Sequence, residues 1–229
     1  VTSYERWRED VADLALDSAP LAIFDTETTG FHFYGASRDR VISLCVLHAS
    51  IADDEPVVAF NEYIHPGRTI PESSTRIHGI STKQMDVALE LGQAFPFRFV
   101  AGDVLAAFKG RIQIAHNLDF DAKALRNEFR KPKPGPGWVP RGVCTVALSW
   151  AAWPHAENHK LGTLCELIGF ELDNAHEAQA DSVACFRVLR AAVAELRLKG
   201  ALETVGDLIA AQEQGAAIRR RDRQFHGGR

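Results

Sequence analysis

The sequence predicts an α/β fold in which a mixed central sheet is flanked by helices. Three observations point there. β-rich runs come first, at Leu21-Ala22-Ile23-Phe24, Val41 to His48 and Val57 to Ile64; helical spacings then alternate with a further short apolar run. The third is composition: 229 residues, 46% hydrophobic and 24% charged, suit a soluble globular chain able to bury one substantial core.

Taken in order, Trp7, Val11 and Leu14 recur at helical spacing within Tyr4 to Asp17, so an amphipathic helix precedes the first strand. The runs at Val41 and Val57 are separated by Asp53-Asp54-Glu55-Pro56, a turn composition, which with the first strand makes a three-stranded antiparallel opening. Beyond Pro71, Ser74-Thr75-Arg76-Ile77-His78-Gly79-Ile80 reads as a short helix stopped by glycine, and Ser81 or Thr82 can cap the next. Phe99 to Phe108 is helical and ends at Gly110. Arg111 to Ala115 is a strand, Asp119 to Arg130 a helix, and Lys131 to Pro140 a proline and glycine loop. Helices follow from Lys160 to Ile168 and from His176 through Lys199, the second with an apolar stripe of Val183, Phe186, Val188, Leu189 and Val193. From Gly200 the core signal fades. The expectation is a main domain over residues 1–200 and a C-terminal extension over 201–229 with a basic, flexible tail, Arg219-Arg220-Arg221-Asp222-Arg223, that is solubilising ahead of any nucleic-acid contact.

No apolar run is long enough to span a membrane, and the charged stretch Val1 to Asp17 lacks the apolar core of a signal peptide, so a cytoplasmic protein is expected. Cys45, Cys144, Cys165 and Cys185 are widely separated and lack zinc-site spacing; they read as buried, reduced thiols. A formal charge of -4 gives no global attraction to nucleic acid, yet acids clustered around divalent cations carry their local positive charge on the metals.

The most informative segment is Phe24-Asp25-Thr26-Glu27-Thr28-Thr29-Gly30, where an apolar strand meets a glycine turn. Side chains at i and i+2 of a strand share a face, so Asp25 and Glu27 project together, and two adjacent carboxylates call for a cation. Oxygen-only ligands suit magnesium or manganese. A second segment, Ile114-Ala115-His116-Asn117-Leu118-Asp119-Phe120-Asp121, ends a strand and opens a helix with acids; a third, His176-Glu177-Ala178-Gln179-Ala180-Asp181, begins the long late helix. If His176 lies just before the first helical turn, it and Asp181 can converge on one site. Four acids and a histidine from three element ends suit two metals and a base.

Across Leu21 to Arg190 the chain resembles the DEDDh 3′-to-5′ exonucleases, the family of the DNA polymerase III epsilon proofreading subunit, within the RNase H-like fold. The resemblance rests on the first motif in full, His116-Asn117 with Phe120-Asp121, His176 with Asp181, and Ile77-His78-Gly79-Ile80 between the first two motifs. It implies that Asp25, Glu27, Asp121 and Asp181 are the four acids, with Asp25 bridging two Mg²⁺ or Mn²⁺ ions and His176 the general base. Asp119 is the rival third acid, but the family places the acid directly after the phenylalanine, which leaves Asp119 as a helix cap. Thr28, Phe31, His78, Asn117 and Phe120 are implied to lie beside the terminal nucleotide. For His78 a histidine satisfying its own turn, and for Phe120 plain core, are competing readings; His116 is read as structural.

The implied activity is metal-dependent removal of nucleoside monophosphates from 3′ ends of single-stranded or frayed DNA. In-line attack of water on a phosphodiester needs a nucleophile made at neutral pH and charge neutralisation on the leaving oxygen, which two metals about 3.5–4 Å apart provide. An exoribonuclease of the same family is the alternative, and a non-catalytic end-binding module or a domain docked on a DNA polymerase are the rivals from other classes. The aromatic run Phe31-His32-Phe33-Tyr34 and the proline-rich stretch after Lys131 depart from the family pattern and bear on strand preference.

Overall fold

The structure, a computed structural model, describes residues 3–34, 38–130, 140–200 and 202–226. The chain runs through α1 (Ser3–Val11), β1 (Leu21–Thr28), β2 (Val41–Ala49), β3 (Val57–Ile64), α2 (Glu72–His78), α3 (Thr82–Glu90) and β4 (Ala94–Phe95). It continues through α4 (Phe97–Phe108), β5 (Ile112–Ala115), α5 (Leu118–Phe129), β6 (Gly142–Cys144), α6 (Thr145–Ala152), α7 (Leu161–Leu167), α8 (Ala178–Lys199) and α9 (Val205–His226). One six-stranded sheet has the order β4-β3-β2-β1-β5-β6. The β1–β2 and β2–β3 pairs are antiparallel, and the β1–β5, β5–β6 and β3–β4 pairs are parallel, so the sheet is mixed as expected.

Strand alternation in β1 builds both layers. Leu21 and Ile23 belong to a core shared with α6, α8 and α9, while Ala22 and Phe24 belong to one shared with α4 and α5. All four are fully buried, each large side chain contributing about 1.5–3 kcal/mol. The same period carries Asp25 and Glu27 onto the α8 side and Thr26 toward α5. A central strand with a partner on either side is thereby pinned in register where the acids begin.

Most element boundaries follow the sequence. Gly79, at φ 75°, closes α2 in the left-handed region, and Ser81 caps α3 in a capping box with Gln84. The first helix is shorter than expected: it ends at Val11, and a separate 3₁₀ turn occupies Leu16–Ser18. The helix expected from His176 starts at Ala178. The loop read at Lys131 to Pro140 lies outside the described residues except for Pro140.

Beyond Gly200 the core does not fade. Leu202, Val205, Leu208 and Ile209 are buried in the α8-side cluster, and residues 205–226 form a 22-residue helix. It lies along α6 so closely that a Cβ at Gly215 would fall 1.9 Å from the Ala147 carbonyl oxygen. The Cys144 amide donates to the Gln212 side chain, tying β6 to the same helix. Small residues make this contact instead of a large apolar stripe. No described helix is long and apolar enough to cross a membrane. All four cysteines are free thiols; Cys45, Cys165 and Cys185 are buried and Cys144 half-buried.

Candidate active site

Three element ends meet at the C-terminal end of β1. Asp25 and Glu27 come from β1, Asp121 from the first turn of α5, and Asp181 from the first turn of α8. Asp121 is buried, and one of its oxygens accepts from both the Thr26 amide (3.1 Å) and the Thr26 hydroxyl (2.7 Å), which fastens α5 to the strand. Farther along α5, Glu128 receives a bidentate pair from Arg40 (2.6 and 2.7 Å) and accepts from the Val41 amide, so a buried fork–fork ion pair fixes the helix against β2. The sequence reading did not single out Arg40 or Glu128. A lone acid in a helix and a lone base before a strand give no signal until the fold brings them together.

Asp119 does not cap α5. Asn117 occupies the cap position without a side-chain hydrogen bond, and Asp119 sits inside the first turn, exposed and paired with Lys123 one turn on. Its carboxylate therefore points to solvent, whereas Asp121 points into the cluster.

His176 and Asp181 are brought together as the spacing suggested. His176 is exposed and precedes α8 in a left-handed conformation (φ 68°), and its backbone amide donates to Asp181 (3.2 Å). Side-chain ligand atoms of Glu27, His176 and Asp181 all lie within 4.8 Å of one another. Non-glycine residues adopt positive φ sparingly, and Asn117, also left-handed at φ 72°, is of the type that does so most readily.

The electrostatics are those of crowded anions. Burial, then Asp121, Asp181 and Glu27, raise the Asp25 carboxyl well above its usual range. Burial, then Asp181 and Asp121, push Glu27 up to about 8. Burial raises Asp121 to about 7 against the opposing Thr26 hydrogen bonds, and burial raises Asp181 although His176 lowers it. Among the described residues the ion pairs lie elsewhere, with no lysine or arginine on these acids. Four converging oxygen donors without a counter-charge fit divalent cations such as Mg²⁺ or Mn²⁺.

A pH dependence follows with a definite sign. Groups whose folded pKa exceeds the unfolded value stabilise the fold at low pH and lose that contribution as pH rises through the folded pKa. For Glu27 and Asp121 the window runs from their ordinary values of 4.5 and 3.8 to about 8 and about 7. Metal-free protein should therefore melt about 5–10 °C lower at pH 8.5 than at pH 5.5, a loss on the order of 2–3 kcal/mol. Added Mg²⁺ or Mn²⁺ should stabilise more at pH 8.5. Thermal melts in EDTA and in metal at both pH values check this, and equal metal stabilisation at the two would contradict the coupling.

Around the acids, the remaining predicted residues take distinct places. Thr28 is buried and its hydroxyl donates to the Gly30 carbonyl (2.7 Å). Gly30, at φ 157°, leaves room for Asp39: a Cβ there would lie 2.5 Å from an Asp39 oxygen that accepts from the His32 amide. Phe31 is 71% exposed with its ring 5.8 Å from that of half-buried Phe120, and Phe120 packs edge-on against Phe33 at 5.2 Å. His78 accepts from the Ile80 amide at Nδ1 (3.1 Å), satisfying its own turn, while its buried Nε2 makes no well-formed hydrogen bond among the described residues, and the ring lies close to the Thr28 backbone and within electrostatic reach of His176. His116 is held by the Thr145 hydroxyl (2.9 Å) and the His159 carbonyl (3.1 Å), and burial lowers its pKa to about 4. That is the structural role read for it. Asp25, Asn117, His176 and Asp181 line an open cleft of about 950 Å³.

A family profile described as Exonuclease matches residues 22–189. The chain belongs to this exonuclease family. Its exonuclease domain spans every motif named above, and the DEDDh resemblance is borne out. A DNA polymerase III subunit epsilon-like protein of Rhodobacter capsulatus is 28% identical over 204 residues, which cover 87% of this chain and 27% of that protein. A DNA polymerase III PolC-type protein of Lacticaseibacillus paracasei is 30% identical over 209 residues, 87% of this chain and 13% of that one. The exonuclease domain thus spans about a quarter or less of these relatives. Among solved structures, E. coli Exonuclease I in complex with a dT13 oligonucleotide superposes with TM-score 0.63 at 20% identity, covering 80% of this chain and 43% of that one. Exonuclease X in complex with 5′ overhanging duplex DNA superposes with TM-score 0.58 at 19% identity, covering 82% and 98%. At such identities the likeness establishes the RNase H-like exonuclease fold.

Proposed function

We propose that this exonuclease domain removes nucleoside 5′-monophosphates one at a time from the 3′ ends of single-stranded or frayed DNA. The observation that carries this is the convergence of four mutually interacting carboxylates and one histidine, from β1, α5 and the α8 entry, at the edge of an open cleft that Asp25, His176 and Asp181 line. Asp25, Glu27, Asp121 and Asp181 would hold two divalent ions, which when bound supply charge stabilisation and an acidified water. His176, at the cleft mouth, would take the proton from the attacking water. Phe31 and Phe120 offer aromatic surface to the terminal base, and stacking of this kind is indifferent to sequence. Asn117, His78 and the Thr28 turn would border the terminal sugar. Free thiols suit a reducing, cytoplasmic setting. The polymerase III names of the relatives favour DNA and suggest a polymerase partner.

An RNA substrate is the second reading, favoured by one structural relative, a 3′-exonuclease with 3′-end specific recognition of histone mRNA stem-loop, at TM-score 0.59 and 16% identity. Labelled single strands of DNA and RNA, incubated with Mg²⁺, Mn²⁺ or EDTA, decide between the two. Stepwise, metal-dependent release of mononucleotides is expected, faster from DNA. Release from RNA alone would reassign the substrate, and no release from folded protein would return the domain to an end-binding role.

A further inference from the structure

The cleft does not stop at the acids. Its far wall is lined by Trp150, His159 and Lys160 and then by Arg219 and Arg223 of α9. Arg219 and Arg223 are one helical turn apart and share a face, whereas Arg220 and Arg221 are exposed and outside the lining. α9 can deliver them because Gly215 and Gln212 hold it tightly on α6 and β6. Trp150 stacks on His159 with ring centroids 3.8 Å apart and 23° between planes, a flat surface inside the cleft. His159 gives Nδ1 to the Ser149 hydroxyl (2.8 Å), and its buried Nε2 has no partner among the described residues. The Arg219 charge is close enough to lower the basicity of both His116 and His159.

We propose that the last turns of α9 form a second strand-binding element, in which Arg219 and Arg223, with Lys160, hold backbone phosphates of the nucleic-acid strand on the 5′ side of the bond to be cut. The Trp150–His159 stack backs a nucleotide in that stretch. This rests on the nuclease assignment proposed above. Guanidinium groups suit phosphate by their rigid donor fork, and flat aromatic surface suits any base. Asp222, Glu157 and Glu166 line the same cleft, so the wall is mixed in charge and its effect is moderate. Asp25 and Asp181, the other acids of the lining, belong to the cluster that would hold the divalent ions.

The test compares a single strand of about twelve nucleotides with a dinucleotide, which offers one phosphodiester and no upstream backbone. Arg219→Ala/Arg223→Ala should lower kcat/KM on the longer strand about tenfold, mostly through KM, and leave the dinucleotide within about twofold. The slope of log Kd against log salt, measured by fluorescence anisotropy in EDTA, should flatten by about 1.4, at about 0.7 per lost contact. Arg219→Lys/Arg223→Lys should restore most of that slope, and Arg220→Ala/Arg221→Ala should leave it unchanged. Equal loss on both substrates, an unchanged slope, or the same effect from the Arg220 and Arg221 pair would overturn the proposal. Wild-type protein that binds the strand but cleaves neither substrate would refute the nuclease assignment separately, since the slope comparison needs no turnover.

Discussion

Replacing Asp25 by asparagine should reduce nucleotide release by about 10³-fold or more while raising the melting temperature of the metal-free protein. Asp25 feels Asp121, Asp181 and Glu27 together, which places it at the centre of the acidic cluster. Under the proposed function, losing the charge stabilisation that bound divalent ions would supply, worth several kcal/mol, would account for a rate effect of that order. The stability effect has the opposite sign for the same reason. Without metal, Asp25 is either ionised against its neighbours or protonated far above its ordinary pKa, and both states cost free energy that a neutral isostere avoids. A gain of about 1 kcal/mol, or about 2–4 °C, is expected at pH 8 in EDTA. Metal stabilisation should shrink in the same variant. An inactive variant that melts lower in EDTA would mean that Asp25 supports the strand end and that its loss damages the fold.

The crowding that raises the Asp25, Glu27 and Asp121 carboxyls also explains why the cluster was legible in the sequence. Asp25 and Glu27 directly follow the continuous apolar run Leu21 to Phe24 on a central strand that is buried on both faces, and nothing in packing rewards two carboxylates there. Asp121 needed the family pattern, because Asp119 has an equal claim by position; burial and the Thr26 hydrogen bonds separate them only in three dimensions. His176 was legible through its distance to Asp181, though the left-handed backbone that turns it toward the cleft was not. The fold was legible where elements are amphipathic and long. α6 escaped because Thr145 through Ser149 are all buried, which leaves no polar face to give a helical period. β4 and β6, two and three residues long, are too short to show any period. α9 escaped because it packs through Gly215 and small neighbours, so its composition resembles a solvated basic tail. The wall it adds to the cleft was therefore invisible as well.

His176→Asn should lower kcat by about 10²–10⁴-fold while leaving the affinity for a single strand within about threefold. Asparagine is chosen because His176 sits at φ 68°, and asparagine tolerates that region better than other side chains. The backbone amide that donates to Asp181 then stays in place, and the variant removes the imidazole alone. The imidazole is exposed at the cleft mouth with its nitrogen near Glu27 and Asp181, able to take a proton from water and release it to solvent. If that is its role, the acid limb of the kcat–pH profile, measured at saturating Mn²⁺ so that protonation of Glu27 and Asp121 does not contribute, is altered in the variant. Metal stabilisation of the fold at pH 8.5 should be nearly unchanged, in contrast to Asp25→Asn. A variant that keeps its acid limb but loses metal stabilisation would make His176 a metal ligand instead of the base, an arrangement its distance from Glu27 and Asp181 would also permit. The two roles thus separate on two measurements of one protein, a melting curve with and without Mn²⁺ and a pH profile of turnover.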